Sequence, residues 1–386
     1  MLNGRMLIEL FETIPDPRMT RKREHKLVDI LVITFCGVFS RCRSWYEIEE
    51  FAEARQDFFK SILELPNGIP SHDTLNRVFQ LLDFNQISKI LSDWLYEFQK
   101  AEGKQIIHID GKFINGSNRE SENSRSSLGM VSAYASETGI CLMSVMTRLE
   151  KDEGEKKSME KVIDGLNLKK TIVTIDAAGA TPTIVEKIVQ KKGDYLIALK
   201  ANQKSFLKLC VNHFDLQGHK SRSFTTEEKA HGREDKRVYE QLSIHENVSA
   251  SFGKSVENQI KKWPRLESLI RVTTLRTVGK NPPTTSVRYY FSSLKEDIRE
   301  VAGAIRSHWK IENNLHWVLD VHFMEDHCRT RTGYADANLA LLRRLAISII
   351  KKNNPQKKSI NALMLRCSIR DDDLLNMLHS SAFFSL

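Results

Sequence analysis

Apolar residues recur at three- and four-residue spacing through the first hundred residues of the chain. The clearest runs are LVDILVITFCGVF, which starts at Leu27, and WYEIEEFAEARQDFFKSIL, which starts at Trp45. This spacing puts the apolar side chains on one face of a helix. Because no strand pattern interrupts these runs, we predict a small all-α domain over residues 1–101.

Short strand patterns replace the helical spacing after residue 101. QIIHID, LGMVSAYAS and GICLMSVMTRL predict three consecutive strands. They are followed by the helix EKKSMEKVIDGL, the strand TIVTID, the helix PTIVEKIVQKKG and the strand DYLIALK. Strands followed by alternating helices and strands predict a mixed sheet with helices packed on it. Residues 102–201 are therefore assigned to the first part of an α/β core.

The texture of the chain changes twice more. Residues 202–296 are richer in charge and include the strand-like pieces ESLIRVTTLRT and TSVRYYFSSL, which predict a β-rich insertion. Helical spacing returns in IREVAGAIRSHWKIENNLHWVLDV and continues through NLALLRRLAISIIKK. Residues 297–386 are therefore predicted to complete the core with helices.

The composition favours a globular protein with an anionic partner. The formal net charge is +9, and such an excess can hold a polyanion by releasing its counterions. The six cysteines form no CxxC pair, which favours a reducing cytoplasm over a disulfide framework or a zinc ribbon. Glu9 and Glu12 interrupt the apolar stretch that a signal peptide needs. We expect no membrane span, because the apolar run from Leu27 is short and contains Asp29.

Two predicted strands end in an aspartate. Asp110 ends QIIHID and Asp176 ends TIVTID. If the strands are parallel neighbours, both carboxylates emerge at the same edge of the sheet. Each aspartate could instead cap its strand or start a turn, since Gly111 follows the first and Ala177 the second.

A third acid, Glu312, lies in the predicted helix RSHWKIENNLHWVLDV. Polar residues recur there at every fourth position: His308, Glu312, His316 and Asp320. Trp309 and Trp317 flank this stripe, and large aromatic residues are seldom exposed on both sides of a solvated face. A half-buried polar stripe is therefore favoured. Zinc binding by His308, Glu312 and His316 is an alternative, although open zinc sites use a more dedicated set of ligands.

Three converging carboxylates would suit divalent cations. Mg²⁺ and Mn²⁺ prefer carboxylate oxygens, and a pair of ions can activate an attacking oxygen and stabilise a leaving oxygen during phosphoryl transfer. Without cations, such carboxylates would repel one another. Asp110, Asp176 and Glu312 are therefore candidate metal ligands.

Several segments together resemble insertion-sequence transposases of the H-repeat-associated (Rhs-element) type, which belong to the DDE superfamily. IPDPR, SWYEIEEFAEAR and GIPSHDTLNRVF resemble the associated helical domain of that family. HIDGK, TIDAAG, GDYLIALKANQ and AHGREDKR resemble successive blocks of its core. HWKIENNLHWVLDVHFMEDHCRTR is the most specific block, because so long an ordered string of aromatic, acidic and basic residues rarely arises by chance.

The resemblance implies a ribonuclease-H-like catalytic core with Asp110, Asp176 and Glu312 as its catalytic residues. It implies a transposase that cleaves element ends and transfers the 3′-hydroxyl ends to target DNA, with two Mg²⁺ ions for which Mn²⁺ can substitute. The expected partners are double-stranded DNA, as terminal inverted repeats and as target, and further copies of the chain during synapsis. The expected location is the bacterial cytoplasm, in association with the nucleoid. A metal-dependent nuclease without strand transfer and an inactive DNA-binding descendant are the alternatives.

The chain departs from related families that carry a Tyr-Arg-Glu-Lys signature. Those families place arginine four residues before the glutamate and lysine seven residues after it, where this chain has His308 and Leu319. TIDAAGATPTI also lacks a glutamine shortly after the second aspartate. DNA contacts from that signature are therefore not carried over to this chain.

Basic residues supply the candidate DNA contacts, since cations close to the phosphates position a protein on DNA. A run without acids includes the candidates Arg343, Arg344, Lys351 and Lys352. The other candidates are Lys200, His231, Arg233, Lys236, Arg237, Arg329 and Arg331. Each could instead be an ordinary solvated or ion-paired surface residue.

Overall fold

The amino-terminal part of the chain is helical. The computed structural model describes residues 6–97, 103–121, 124–148, 154–230, 232–244, 254–295, 297–354 and 358–378. Its first helices are α1 (Met6–Glu12), α2 (Leu27–Phe39), α3 (Trp45–Glu53), α4 (Gln56–Ile62), α5 (His72–Leu81) and α6 (Phe84–Glu97). The helical prediction for this part is confirmed over residues 6–97.

Serine side chains define where two of these helices begin. Ser44 accepts a hydrogen bond from the backbone N–H of Glu47 at the start of α3. Ser71 does the same with the backbone N–H of Thr74 at the start of α5. Each serine satisfies one of the N–H groups that a helix leaves unpaired at its amino end.

The strands and helices of the first core segment follow in the predicted order. They are β1 (Gln105–Ser121), β2 (Ser124–Ala135), β3 (Cys141–Arg148), α7 (Gly154–Gly165), β4 (Thr171–Ile175), α8 (Pro182–Gln190) and β5 (Asp194–Leu199). Strand β1 is longer than predicted and continues past Asp110. Gly139, with φ +73°, lies in the turn between β2 and β3, where a left-handed backbone favours glycine.

The next segment contains the predicted strands together with two helices that were not predicted. Its elements are α9 (Lys204–Gln217), β6 (Arg222–Ala230), β7 (Arg233–Ser243), α10 (Lys254–Lys261), β8 (Ser268–Val278) and β9 (Thr284–Ser292). Strands β6 and β7 were not predicted individually, because both are rich in charged and polar residues and lack a clear apolar alternation.

Helices complete the chain, again as predicted. They are α11 (Ile298–Ile311), a π-helical turn (Glu312–His316), α12 (Trp317–Val321), α13 (Ala335–Lys352), α14 (Ile360–Ile369) and α15 (Asp371–Leu378). In the described part of the chain, no helix combines the length and the apolar character needed to cross a bilayer.

Two compact units make up the chain, and each is assembled from separate segments. The first combines Met1–Ala101, Gly111–Ser158 and Lys310–Leu386, and the second combines Glu102–Asp110 with Met159–Trp309. The chain passes from one unit to the other after residue 101 and again inside β1, inside α7 and inside α11.

The second unit is built on a mixed sheet with the strand order β1-β4-β5-β9-β8-β7-β6. Strands β1, β4 and β5 are parallel, and the strands from β9 to β6 are antiparallel to their neighbours. Helix α11 buries Val301, Ala302, Ala304 and Ile305 in one apolar cluster with residues of β4, β5, β7 and β8. This burial fixes α11 on one face of the sheet.

In the first unit, helix α13 is the central element. It contacts α2, α5, α6 and β3, and its residues from Ala335 to Ile350 are all buried. Strand β2 pairs antiparallel with β3 in the same unit. The amino-terminal and carboxy-terminal helices therefore share one hydrophobic core.

Candidate active site

Two aspartates follow paired positions on adjacent parallel strands. Ile109 of β1 is in register with Ile175 of β4, and Asp110 and Asp176 are the next residues on their strands. The sequence had suggested that Asp110 ends its strand, but β1 continues to Ser121. The parallel arrangement nevertheless brings both backbone positions to the same level of the sheet.

The carboxylate of Asp176 is held by the turn that follows β4. Its Oδ1 accepts hydrogen bonds from the backbone N–H groups of Ala178, at 2.8 Å, and Gly179, at 3.3 Å. The exposed ammonium group of Lys200 lies 3.9 Å from Oδ2. These contacts hold the carboxylate in one orientation at the end of β4.

A largely buried hydrogen-bond network includes the residues two positions before each aspartate. The hydroxyl group of Thr174 is 2.7 Å from Nδ1 of His108 and 2.7 Å from Nδ1 of His308. Since this hydroxyl has one proton, it can donate to one imidazole and must accept from the other. These hydrogen bonds connect β1 and β4 to each other and to helix α11.

Helix α11 leads directly into the third acid. Glu312 follows His308 by four residues and begins the π-helical turn. Glu312 is 49% exposed, and its Oε2 lies 3.4 Å from Nδ1 of the buried His316. Glu312 and His316, like Asp110, offer side-chain atoms suited to a metal ion. Single π-helical turns inside α-helices are frequent at functional sites.

The aromatic residues beside Glu312 do not bury it. Trp309 and Trp317 are both exposed, so these residues do not bury the polar stripe. The stripe is nevertheless half-buried, as predicted, since its two histidines and Asp320 are buried or partly buried. The π-helical turn changes the four-residue spacing assumed for the stripe, because its hydrogen bonds span five residues instead of four. The guanidinium group of Arg288 lies over the Trp309 ring, 5.5 Å from its centre.

The basic candidates on β7 lie on both faces of their strand. Arg233 and Arg237 project to the face opposite Lys236, since successive strand residues alternate. Arg233 and Arg237 form ion pairs with Asp235, and Lys236 pairs with Glu227. His231 lies outside the described residues.

Arg329 and Arg331 are exposed after the helix that carries Glu312. Arg331 donates a 3.0 Å hydrogen bond from Nε to the carbonyl oxygen of Gly116. Gly116 is required at this position, because an added Cβ would lie 2.5 Å from the backbone oxygen of Cys328. The segment with the two arginines is thus held closely against β1.

The two arginines of the basic run on α13 are buried. Arg343 and Arg344 are only 4% and 2% exposed, so they are not available to phosphates as the sequence had suggested. Arg344 donates to Glu325 at 2.7 Å and to Ser132 at 3.2 Å. These residues face inward because α13 is surrounded by other elements. Lys351 and Lys352 are half-buried at its end, and burial lowers the pKa of Lys351.

Sequence reasoning missed the supporting residues of the site. His108 and Thr174 each lie two positions before an aspartate, which places them on the same strand face as that aspartate. Lys112 lies two positions after Asp110; it is buried, and its ammonium group is 2.8 Å from Asp320 and 2.9 Å from Asp326. The alternation of strand residues was the signal that could have indicated all three.

Comparison with known proteins now decides the family. The model of the transposase DDE domain matches residues 101–349, and the model of the associated domain (DDE_Tnp_1-associated) matches residues 8–95. The chain belongs to the DDE transposase family. The family resemblance predicted from the sequence is thereby confirmed, together with an α/β fold that contains a large mixed sheet.

Two relatives of this DDE transposase family member cover nearly its full length, and a third covers a short part of it. YncI of Escherichia coli O157:H7 is 35% identical over 95% of this chain and 93% of its own. The H repeat-associated protein YhhI of Escherichia coli K12 is 32% identical over 97% of this chain and 98% of its own. Their names assign both provisionally to the transposases. The inactive transposase YbfQ of strain K12 is 46% identical over 72 residues, 19% of this chain and 86% of its own.

Proposed function

We propose that this protein is an active transposase that cleaves DNA at the ends of its element and joins the freed 3′-hydroxyl groups to target DNA. Its membership of the DDE family supports the reaction class. The observation that carries the proposal is the register of β1 and β4, which puts Asp110 and Asp176 at matching positions of adjacent parallel strands. We also propose a ribonuclease-H-like core on this basis.

We propose Asp110, Asp176 and Glu312 as the ligands of two Mg²⁺ ions, with Mn²⁺ as a substitute. The donor set fits, since carboxylate oxygens are the ligands that hard cations prefer. His316 offers a further ligand atom. When bound, such ions would supply Lewis-acid stabilisation of charge on the attacking and leaving oxygens.

The protein's own residues would keep these carboxylates oriented. Backbone N–H groups fix the Asp176 carboxylate. The bonds of Thr174 to His108 and His308 fix the end of α11 that leads to Glu312, and α11 continues into Glu312 without a break. Positioning of this kind lowers the entropy cost of reaching the reactive arrangement.

DNA contacts are proposed for the basic candidates that are exposed. Lys200 is close to Asp176, and Arg329 and Arg331 follow the helix that carries Glu312. An exposed cation near the acids can neutralise a phosphate beside the scissile bond. Because two element ends must be handled together, we also propose that copies of the chain associate during synapsis.

The decisive experiment incubates purified protein with a labelled element end and Mg²⁺, with and without target DNA. The wild type should nick the end and then join it to the target. Asp110→Asn, Asp176→Asn and Glu312→Gln should each reduce nicking and joining to background and weaken Mn²⁺ binding in calorimetry. Each change removes a charged ligand and little volume, so DNA affinity should persist.

Asp164→Asn is the matched control, because it makes the same chemical change at an aspartate that is not a candidate metal ligand. Asp164 is exposed on α7 and pairs with Lys187 of α8. It should leave nicking, joining and Mn²⁺ binding unchanged. Full nicking by any one of the three site variants would remove that residue from the site. Nicking without joining by the wild type would assign a nuclease instead, and absence of both would contradict an active enzyme.

A further inference from the structure

Six charged side chains form a cluster on one face of the sheet in the second unit. We call it the arginine cluster; it consists of Arg233, Arg237, Arg276, Arg306, Asp235 and Glu228. Arg276 donates to both carboxylate oxygens of Asp235, at 2.7 and 3.2 Å. Arg306, on α11, donates to both carboxylate oxygens of Glu228, at 2.9 and 2.8 Å. Arg237 bridges the two acids, at 3.0 Å from Glu228 and 2.7 Å from Asp235.

The strand register explains why so many arginines gather here. Asp235 of β7 is directly opposite Glu228 of β6 on one side and Arg276 of β8 on the other. Two carboxylates facing each other across antiparallel strands repel. The surrounding guanidinium groups offset that repulsion, and hydrogen bonds from Arg276 and Arg306 lower the pKa values of Asp235 and Glu228 respectively.

The cluster has more positive charge than its internal pairing requires. Four guanidinium groups face two carboxylates, so its net charge is +2. Asp235 is only 2% exposed, whereas the side chains of Arg233, Arg276 and Arg306 are 42–44% exposed. A guanidinium group has five N–H donors in a rigid plane. After it donates two of them to a carboxylate, three N–H donors remain for another ligand. The buried acid thus orients partly exposed cations.

A second basic group lies on the same face of the sheet. Arg288 of β9 lies directly opposite Val272 of β8. Val272 is four residues before Arg276 on the same strand, so all three side chains project to the same face of the sheet. The Arg288 guanidinium group stacks over Trp309 of α11, three residues after Arg306. Cationic surfaces that combine arginine with an aromatic side chain are used by proteins that bind nucleic acids.

We propose that the arginine cluster is a preorganised binding site for the phosphate backbone of DNA. A planar guanidinium group can donate two parallel hydrogen bonds to two oxygens of one phosphate. A binding site whose side chains are already oriented has less conformational entropy to lose on binding. This inference rests on the proposed function, because that function supplies DNA as the polyanion. Asp235 and Glu228 act as organisers in this site, although their charge alone would repel DNA.

The first test measures binding of an element-end duplex by fluorescence anisotropy over a range of salt concentrations. Arg276→Gln and Arg306→Gln should each weaken binding about tenfold, which corresponds to about 1.4 kcal/mol. Each should also lower the slope of log affinity against log salt by about one. Lys229→Gln is the matched control, because it also removes one positive charge. Lys229 lies on β6 but projects to the face of the sheet opposite the arginine cluster, where it pairs with Glu234.

The second test separates orientation from net charge. Asp235→Asn makes the protein more positive, so simple attraction predicts tighter binding. If Asp235 orients the arginines, the variant should bind DNA several-fold more weakly. Glu227→Gln, on the same hairpin but paired with Lys236, makes the same charge change and should leave binding unchanged or slightly tighter. Thermal unfolding of every variant identifies any that has lost its fold.

The outcomes distinguish the cluster from the catalytic proposal. Wild-type affinity and salt slope in folded Arg276→Gln and Arg306→Gln would overturn the cluster, whether or not the protein nicks DNA. Tighter binding by Asp235→Asn would overturn the organising role of the acid. Wild-type protein that binds DNA through the cluster but never nicks it would instead contradict the proposed catalytic function.

Discussion

At the scale of single residues, the acids of the candidate site were visible in the sequence and their supports were not. HID and TID each end in an acid after an apolar residue, a pattern that predicted Asp110 and Asp176. The bond between Thr174 and His308 joins residues 134 positions apart. No local sequence pattern indicates a hydrogen bond between such distant residues, because a threonine inside a strand fits the same pattern as any other β-branched residue.

The hydroxyl group of Thr174 should matter for positioning rather than for chemistry. Thr174→Val keeps the side-chain volume but removes the hydroxyl group that bonds both His108 and His308. We expect nicking to fall about 10- to 100-fold, the usual effect of losing a partner that orients catalytic ligands. DNA affinity should not change, since the group is buried.

Thr174→Ser is the matching control, because it restores the hydroxyl group and should restore most of the nicking rate. Rates should be measured at saturating DNA, together with melting temperatures. Equal loss of activity in the valine and serine variants would assign Thr174 to packing alone.

At the scale of elements, apolar spacing predicted where most helices and strands lie, but not how charged segments are used. Strands β6 and β7 escaped prediction because their sequences, RSFTTEEKA and REDKRVYEQLS, are rich in charged and polar residues and show no clear apolar alternation. Helix α13 was interpreted as partly basic and exposed, whereas Arg344 finds an acid inside the protein. The π-helical turn at Glu312 also escaped prediction, because four-residue spacing was assumed throughout the helix.

Breaking the buried pair between Arg344 and Glu325 should strongly destabilise the first unit. The two side chains are 2% and 0% exposed. Arg344→Met leaves the Glu325 carboxylate buried without its cation, which should lower the free energy of unfolding by about 3–5 kcal/mol. Urea denaturation monitored by circular dichroism measures this change.

Two further variants make that measurement specific. Glu325→Leu combined with Arg344→Met removes both charges and should recover most of the stability. Arg366→Met breaks the more exposed pair with Asp373 and should cost no more than about 1 kcal/mol. An Arg344→Met variant as stable as the Arg366→Met variant would show that the buried pair contributes little.

At the scale of the whole molecule, the order of segments along the chain differs from the way the compact units are built. Changes of texture in the sequence suggested four consecutive segments. The first unit instead gathers the amino-terminal helices, part of the sheet and the carboxy-terminal helices. Sequence texture cannot indicate this, because it records local composition and not which distant helix covers an apolar face.

Residues 1–101 should therefore not fold stably when they are expressed alone. Helices α2, α5 and α6 bury apolar side chains, and α13 contacts all three. Without α13, these faces would be exposed to water at about 25 cal/mol for each Å² of apolar surface. We expect far-UV circular dichroism to show some helix, but urea and heat should produce no cooperative transition. Full-length protein under the same conditions is the reference and should unfold cooperatively. A sharp transition and a dispersed NMR spectrum from the fragment would contradict this prediction and establish residues 1–101 as an independent domain.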